Sequence, residues 1–346
     1  MNTIFKPDTF RNDFTFANSP AAIKRFPFPF CEDTYTYSLD MESHVAGPAG
    51  SVYEYPIDID DHYVSDMADR AHVLKDDPLR CQAFPHMMTA QWDLLELLMT
   101  SMARAYPHQF TLHRNGDQWH WINKTLGIDD KFRFGDISTL SYEPMEYIAR
   151  QCQGDFTLLD QRDNNLWLDG GIATSQADWS LDFSLGMNFM EWHGAEPVAH
   201  DTGVSDHALN SLLNVQQNSP VRRLNWTMTL NPRLDNSPEN YDIWGRDRAT
   251  VTPANVGDKV HLRVELQAVW RLPRSNALVI STRTYFLKMR ELLTQPNWAR
   301  RFPRVLKSLP AELVDAKGIT RYRDVTLDWL NPYDDGQATP TGCLFK

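Results

Sequence analysis

The chain has 346 residues, 42% of them hydrophobic and 23% charged, a composition that can bury a core and excludes intrinsic disorder. A net charge of −11 leaves no broad basic surface for phosphates, so nucleic acid and anionic membranes are not expected partners. The four cysteines (Cys31, Cys81, Cys152 and Cys343) form no C-x-x-C pair, and no run approaches ~18 apolar residues. Reduced thiols, no membrane span and, with no apolar stretch in residues 1–18, a cytoplasmic location are therefore expected.

Residues 1–60 are rich in Pro, Phe and Tyr, most densely at Phe26-Pro27-Phe28-Pro29-Phe30. Alternating prolines exclude a helix interior, so this arm is expected to run extended and to pack through its aromatics on the body. Docking on a partner subunit is the alternative. A single α+β domain is expected over 61–320. Within it, 60–83 reads as a weakly amphipathic helix and 89–105 as a stronger one. In the second, Trp92, Leu95, Met99 and Met102 recur at three- and four-residue spacing; Thr89 is placed to cap the start and Tyr106-Pro107 to end it. Residues 108–150 mix short strand-like and helical pieces. Phe156–Leu159 and Leu166–Leu168 flank a polar turn at 160–165, which predicts a hairpin followed by a bend at Gly170-Gly171.

The clearest periodicity comes next. Leu224, Trp226, Met228 and Leu230 alternate with polar residues over 223–231, and Val260, Leu262, Val264, Leu266, Ala268 and Trp270 do so over 260–271. Leu272–Asn276 turns the chain and 277–287 returns, so three long antiparallel strands of a curved sheet are predicted. Helix is expected over 288–313, and residues 321–346 read as an irregular tail.

The polar residues on or beside this hairpin are His261, Arg263, Glu265, Gln267, Arg271, Arg274, Arg283 and Tyr285. A solvated face is one reading. Arginine throughout, in place of lysine, favours fixed recognition of a carboxylate or phosphate. His193, among Phe189, Trp192 and Gly194, is either a structural histidine or an axial ligand for haem iron. Dinucleotide, P-loop, serine-hydrolase and zinc-protease signatures are absent, so electrons for any redox chemistry must come from another protein.

Arg263-Val264-Glu265-Leu266-Gln267, then Arg271-Leu272-Pro273-Arg274-Ser275 and Ile280–Tyr285, resemble the signature of the haem-dependent oxidative N-demethylase α-subunit family. Arg222–Trp226 resembles the strand that precedes it there, and Trp179 to Val198 resembles a histidine-containing stretch ending in Pro-Val. The likeness runs from about residue 50 to 295. The family has Arg where this chain has Leu266, and its histidine lies closer to the proline than His193 does to Pro197, which leaves His200 as a second candidate.

The resemblance implies a PAS-related haem-binding fold with haem b, whose iron activates O₂ to demethylate a small secondary amine. The expected substrate is dimethylamine, and the products are methylamine and formaldehyde. It implies electrons from NADPH through reductase subunits carrying FMN and an iron–sulfur cluster, and a tetrahydrofolate-binding subunit that receives formaldehyde. His193 is the implied iron ligand. Arg222, Arg223, Arg263, Arg271, Arg274 and Arg283, with Trp226 beside them, form the pool of haem-binding residues; Glu265, Tyr285 and Glu191 are the candidates for orienting the amine or a distal water. The alternatives are a PAS-type ligand sensor without turnover and a non-catalytic scaffold of an amine-degrading complex.

Overall fold

Alternating apolar and polar residues give three long strands, β8 (Val221–Leu230), β9 (Val260–Arg271) and β10 (Leu278–Lys288), paired antiparallel as predicted. A computed structural model describes residues 8–11, 13–14, 16–36, 41–193 and 204–341 of this chain. In it these strands form the centre of a seven-stranded antiparallel sheet in the order β1-β8-β9-β10-β6-β7-β2. The outer strands are β1 (Glu42–Ser43), β2 (Cys81–Ala83), β6 (Asp155–Arg162) and β7 (Asn165–Ile172). A second sheet, β3-β4-β5 (Phe110–Asn115, Gln118–Asn123, Ile128–Arg133), stands apart. The architecture is α+β with a large antiparallel sheet.

Both faces of the large sheet are covered. On one, the core face, Trp270 and Val279 pack against α3 (Met88–Ala105), α4 (Pro144–Ala149) and the small sheet. Further along that face, Trp226 and Val264 meet the N-terminal arm and the C-terminal helices α11 (Pro296–Ser308) and α13 (Thr320–Leu330). Phe26, Phe28 and Phe30 are buried there, and the Phe28 ring stacks on Trp298 at 4.9 Å. Burying each such ring is worth about 1.5–3 kcal/mol, enough to fasten an arm with little secondary structure of its own. The arm does contain one short helix, α1 (Pro20–Arg25), capped by Ser19. On the opposite face, α5 (Leu181–Ser184), α6 (Phe189–His193) and α7 (Val204–Leu213) cover Leu159, Leu168, Val269 and Leu278.

Several local expectations are corrected. The first long helix, α2 (Tyr63–Asp76), stops before Pro78, and residues 81–83 are strand. Thr89 does not cap α3, which begins one residue earlier and continues from a 3₁₀ turn at Pro85–Met87. The β6–β7 connection is tighter than 160–165. Asp163 and Asn164 both adopt positive φ (53° and 55°), the requirement of a two-residue type I′ turn. Gly170 and Gly171 do not bend the chain; they lie inside β7, where β2 approaches Gly170 and β6 approaches Gly171 too closely for a side chain. Residues 320–330 are helical, with Tyr322, Thr326 and Leu330 buried, so the tail is not irregular throughout. Cys31 is disulfide-bonded, contrary to the expectation of four reduced thiols, whereas Cys81 and Cys152 are free. Among the described residues no helix is long and apolar enough to cross a membrane.

A methyl group on Gly171 would sit 2.9 Å from the Phe156 carbonyl oxygen, a backbone atom that cannot swing aside. Gly171→Ala is expected to lower stability by about 1–3 kcal/mol, read as a lower urea midpoint at unchanged slope.

Candidate functional site

Directly opposed residues in an antiparallel pair share a face, so the register sorts the polar residues of the hairpin. Thr284 opposes Glu265 and Phe286 opposes Arg263, while Asn225 and Thr227 of β8 oppose the same two residues from the other side. Arg223 and Thr282 flank Gln267. These residues form one polar face. Arg283 opposes Leu266, Tyr285 opposes Val264, Arg222 opposes Ala268 and Trp226 opposes Val264, which puts all four on the core face. The predicted set is therefore split between the two sides of the sheet.

On the polar face Arg263 has no solvent exposure. Its Nε donates to Glu265 Oε1 at 3.2 Å, Nη1 donates to the Leu234 carbonyl at 2.7 Å, and Nη2 donates to the Ser175 carbonyl and to Thr284 Oγ1. Glu265 Oε2 accepts from Asn225 Nδ2 at 3.3 Å, so both carboxylate oxygens are held. Arg223, Asn225, Gln267, Thr282 and Ile280 are only partly covered, and they make the accessible part of this face.

His193 is the last residue of α6, and α6 lies on this same side of the sheet. Phe189 packs with Val269, two residues along β9 from Gln267. The His193 ring stacks on Phe189 at 4.1 Å and lies 4.6 Å from Trp192, which is 5.6 Å from Trp179. Its Nδ1 is 2.9 Å from the Phe189 carbonyl oxygen. An Nδ1–H donated to a carbonyl fixes the ring and the tautomer in which Nε2 carries the lone pair, the arrangement found in metal-binding histidines. His200 and residues 194–198 lie outside the described residues. Glu191 is exposed, and its carboxylate accepts from the Asn188 backbone at 3.0 Å, which closes its own helix start.

The other arginines are engaged internally. Arg271 donates to the carbonyls of Leu213 and Val215 at the end of α7, which places a cation where the helix dipole favours one. Arg274 binds Asp93 and Glu96 at the hairpin turn, and the Asp93 carboxylate also accepts the Arg274 and Ser275 amides. Arg222 pairs with Glu42 and lies over the Tyr53 ring. Arg283 bridges Asp60 and Asp66. Tyr285 donates to Asp58 at 2.6 Å, and burial drives its hydroxyl pKa well up. Trp226 is packed among Phe30, Tyr35 and Phe302. Glu265, Tyr285 and Glu191 do not converge.

Does the polar face fit a haem? The site offers a ring-fixed imidazole, indoles beside it, and Arg223 as a partly covered guanidinium, which match iron, macrocycle and propionate. Of the arginine pool, Arg263 and Arg271 are buried on this face, whereas the Arg223 side chain is partly covered. A separate trio, His86, Asp160 and Asp169, brings ligand atoms within 4.8 Å of one another, but Arg162 already contacts both carboxylates and supplies the positive charge there. Asn225 and Thr282 were not singled out from sequence, and Gln267 was named only as one of the hairpin's polar residues. Alternation marks their side of a strand, but only the pairing register brings them together.

Arg263→Met is expected to cost about 3–5 kcal/mol, because Glu265 and three backbone carbonyls lose their donor; chemical denaturation checks this. At the end of the same face, burial pushes His261 down to about 4 from its usual 6.5. The unfolded chain therefore binds the extra proton between those values, and stability present above pH 6.5 is lost as pH falls toward 4. The loss is on the order of 3 kcal/mol, and His261→Gln is expected to remove this part of the acid sensitivity.

A family model described as haem-dependent oxidative N-demethylase, alpha subunit-like, matches residues 49–327, about four-fifths of the chain. That span takes in both faces of the sheet, α6 and the arginine-rich hairpin, and the chain belongs to this family.

Proposed function

We propose that this chain binds haem b on the polar face and serves as the oxygen-activating subunit of an enzyme that demethylates a secondary amine. The observation that carries this reading is the position of His193: a half-buried imidazole oriented by the Phe189 carbonyl, on the same side of the sheet as Glu265 and Arg223. Family membership supports the haem and the oxidative chemistry. A PAS-related ancestry goes with the antiparallel sheet and its flanking helices.

When bound, haem supplies the activation of O₂ that oxidises an N-methyl carbon. The protein's own part is positioning. His193 holds the iron and Arg223 engages a propionate. Glu265, pinned by Arg263 and Asn225, offers a fixed carboxylate to the ammonium of the amine. Trp179 and Trp192 exclude water from the reacting side. Dimethylamine is the substrate we assign, because a single carboxylate and a small polar patch suit a small cation.

The overall change, dimethylamine plus O₂, two electrons and two protons giving methylamine, formaldehyde and water, needs an external reductant. The chain carries no dinucleotide fingerprint and no cysteine cluster. We therefore assign NADPH, FMN and an iron–sulfur centre to partner reductase subunits, and formaldehyde capture to a tetrahydrofolate-binding partner. A cytoplasmic setting goes with a supply of reduced nicotinamide nucleotide. Arg222, Arg271, Arg274, Arg283, Trp226 and Tyr285 act as framework residues in this reading.

The test is the absorption spectrum of the purified chain with and without His193→Ala, titrated with dimethylamine. The expected result is a Soret band that shifts with amine in the wild type and is lost or altered in the variant. A protein that stays colourless after haem reconstitution refutes the reading, and an unchanged variant spectrum moves the ligand elsewhere.

A further inference from the structure

β10 runs past the start of β6 by six residues; two small voids lie against this buried stretch, and a larger cleft adjoins the first of them. The outermost is a cleft of about 280 Å³, lined among others by Asp60 and His62. The second, about 20 Å³, shares Asp60 and His62 with the cleft and adds Asp66 and Arg283. The third, about 10 Å³, shares Asp66, Arg283 and Thr284 with the second, and Asp69 of α2 lines it too. Each inner void is of the size that one or two waters fill.

The third void holds an unusual pair. Asp69 is 95% buried, its exposure being 5%, and its Oδ1 has no hydrogen-bond partner; Nε of the buried Arg283 has none either. An unpaired acceptor and an unpaired donor on the walls of a one-water void are both satisfied by a single bridging water. The groups facing Asp69 are Asp66 on its own helix, Arg11 from the N-terminal segment, and Arg233 and Asp235 from the loop after β8. Arg70 and Arg283 complete the charged wall. Burial, aided by Asp66 and opposed by Arg11, pushes the Asp69 carboxyl up to about 7, so its proton exchanges near neutral pH.

Thr284 connects this void to the polar face. It lines the void, its Oγ1 accepts from Arg263 at 3.3 Å, and it stands directly across the ladder from Glu265. A hydroxyl both accepts and donates, so it can pass a proton on while Arg263 stays charged.

We propose that Asp69 is the proton-holding station of a water-filled route running from the Asp60–His62 cleft, past Thr284, to Glu265 on the polar face. The inference rests on the oxygen-activating reading of that face, where each demethylation takes up two protons with its two electrons. In each delivery the Asp69 carboxyl gives its proton to the bridging water. That water passes a proton to Thr284 Oγ1 as the original Thr284 hydroxyl proton leaves for the Glu265 carboxylate, and Asp69 is reprotonated by a solvent proton from the cleft side.

The test compares wild type, Asp69→Asn and Thr284→Val in the full chain. Infrared titration is expected to show the band of a protonated carboxylic acid that disappears with a midpoint near pH 7, is missing in Asp69→Asn, and persists in Thr284→Val. Because the folded carboxyl titrates above its unfolded value, wild-type stability is expected to fall as pH rises through about 7, and that of Asp69→Asn is not. With haem and a reductant in place, both variants are expected to keep the wild-type spectrum and amine affinity. Their amine-dependent O₂ consumption at pH 8 falls roughly tenfold or more, with a changed pH profile, and Asp69→Glu restores part of it. A band that survives in Asp69→Asn, or variants with wild-type rates and pH profile, overturns the route. Wild type that binds haem but consumes no O₂ with amine overturns the functional reading and the route's destination with it, even when the band behaves as expected. Should Asp69→Asn fail to fold, the Thr284→Val rate decides.

Discussion

Arg263 sits in the middle of the polar face with no contact to solvent, and a guanidinium can be kept there only if its donors find acceptors. They find them far away in sequence: a carbonyl at residue 175, carbonyls at 233 and 234, a hydroxyl on β10 and the neighbouring carboxylate of Glu265. One side chain therefore ties the loop after β7 and the loop after β8 to the sheet. The placement of Glu265, and of the two loops that wall the site, follows from satisfying this single charge. A lysine, with three donors and no planar fork, has no way to hold all of these positions.

The sheet divides its charges between two sides with different consequences. On the polar face the charges are few, fixed and partly reachable. Near the outer end of the core face, Asp58, Asp60 and Asp66 crowd around Arg283 and Arg25. Burial pushes Asp58 and Asp66 up, whereas for Asp60 burial is opposed by Arg283, Gln153 and His62, which together lower its carboxyl below the usual value. The N-terminal arm closes this cluster: Arg25 reaches Asp58, and Asn18 donates to the Phe286 carbonyl. The arm is thus part of the electrostatic interior, beyond its role as an apolar strap.

The strands were legible because period-two alternation over ten or more residues has one interpretation, and the hairpin turn at 272–276 was legible from Pro273 and Asn276. The sides were not. Arg283 and Tyr285 look like companions of Arg263 and Glu265 until pairing shows Arg283 opposite Leu266. Nor does a local pattern reveal that polar strand residues are covered, because the covering loops lie tens of residues away and contribute backbone carbonyls, which carry no sequence signal. Gly170-Gly171 misled for a related reason: a glycine needed for the close approach of a neighbouring strand reads like a glycine needed for a turn. His193 was found as a residue type in an aromatic setting, but its orientation depends on a carbonyl four residues back in a short helix. Asp69 gave no signal, since its isolation is a property of the folded void.

The packing of Phe26, Phe28 and Phe30 against Trp298 and Phe302 joins segments some 270 residues apart. During synthesis, which proceeds from the N-terminus, the Trp226 side of the sheet has its arm present long before α11 and α13 emerge. Until then an apolar strand surface carrying Trp226, Met228 and Val264 lies half clothed, a state in which strand-rich chains associate with one another. Closure of that layer is a non-local event, of the kind whose loop-closure cost slows folding.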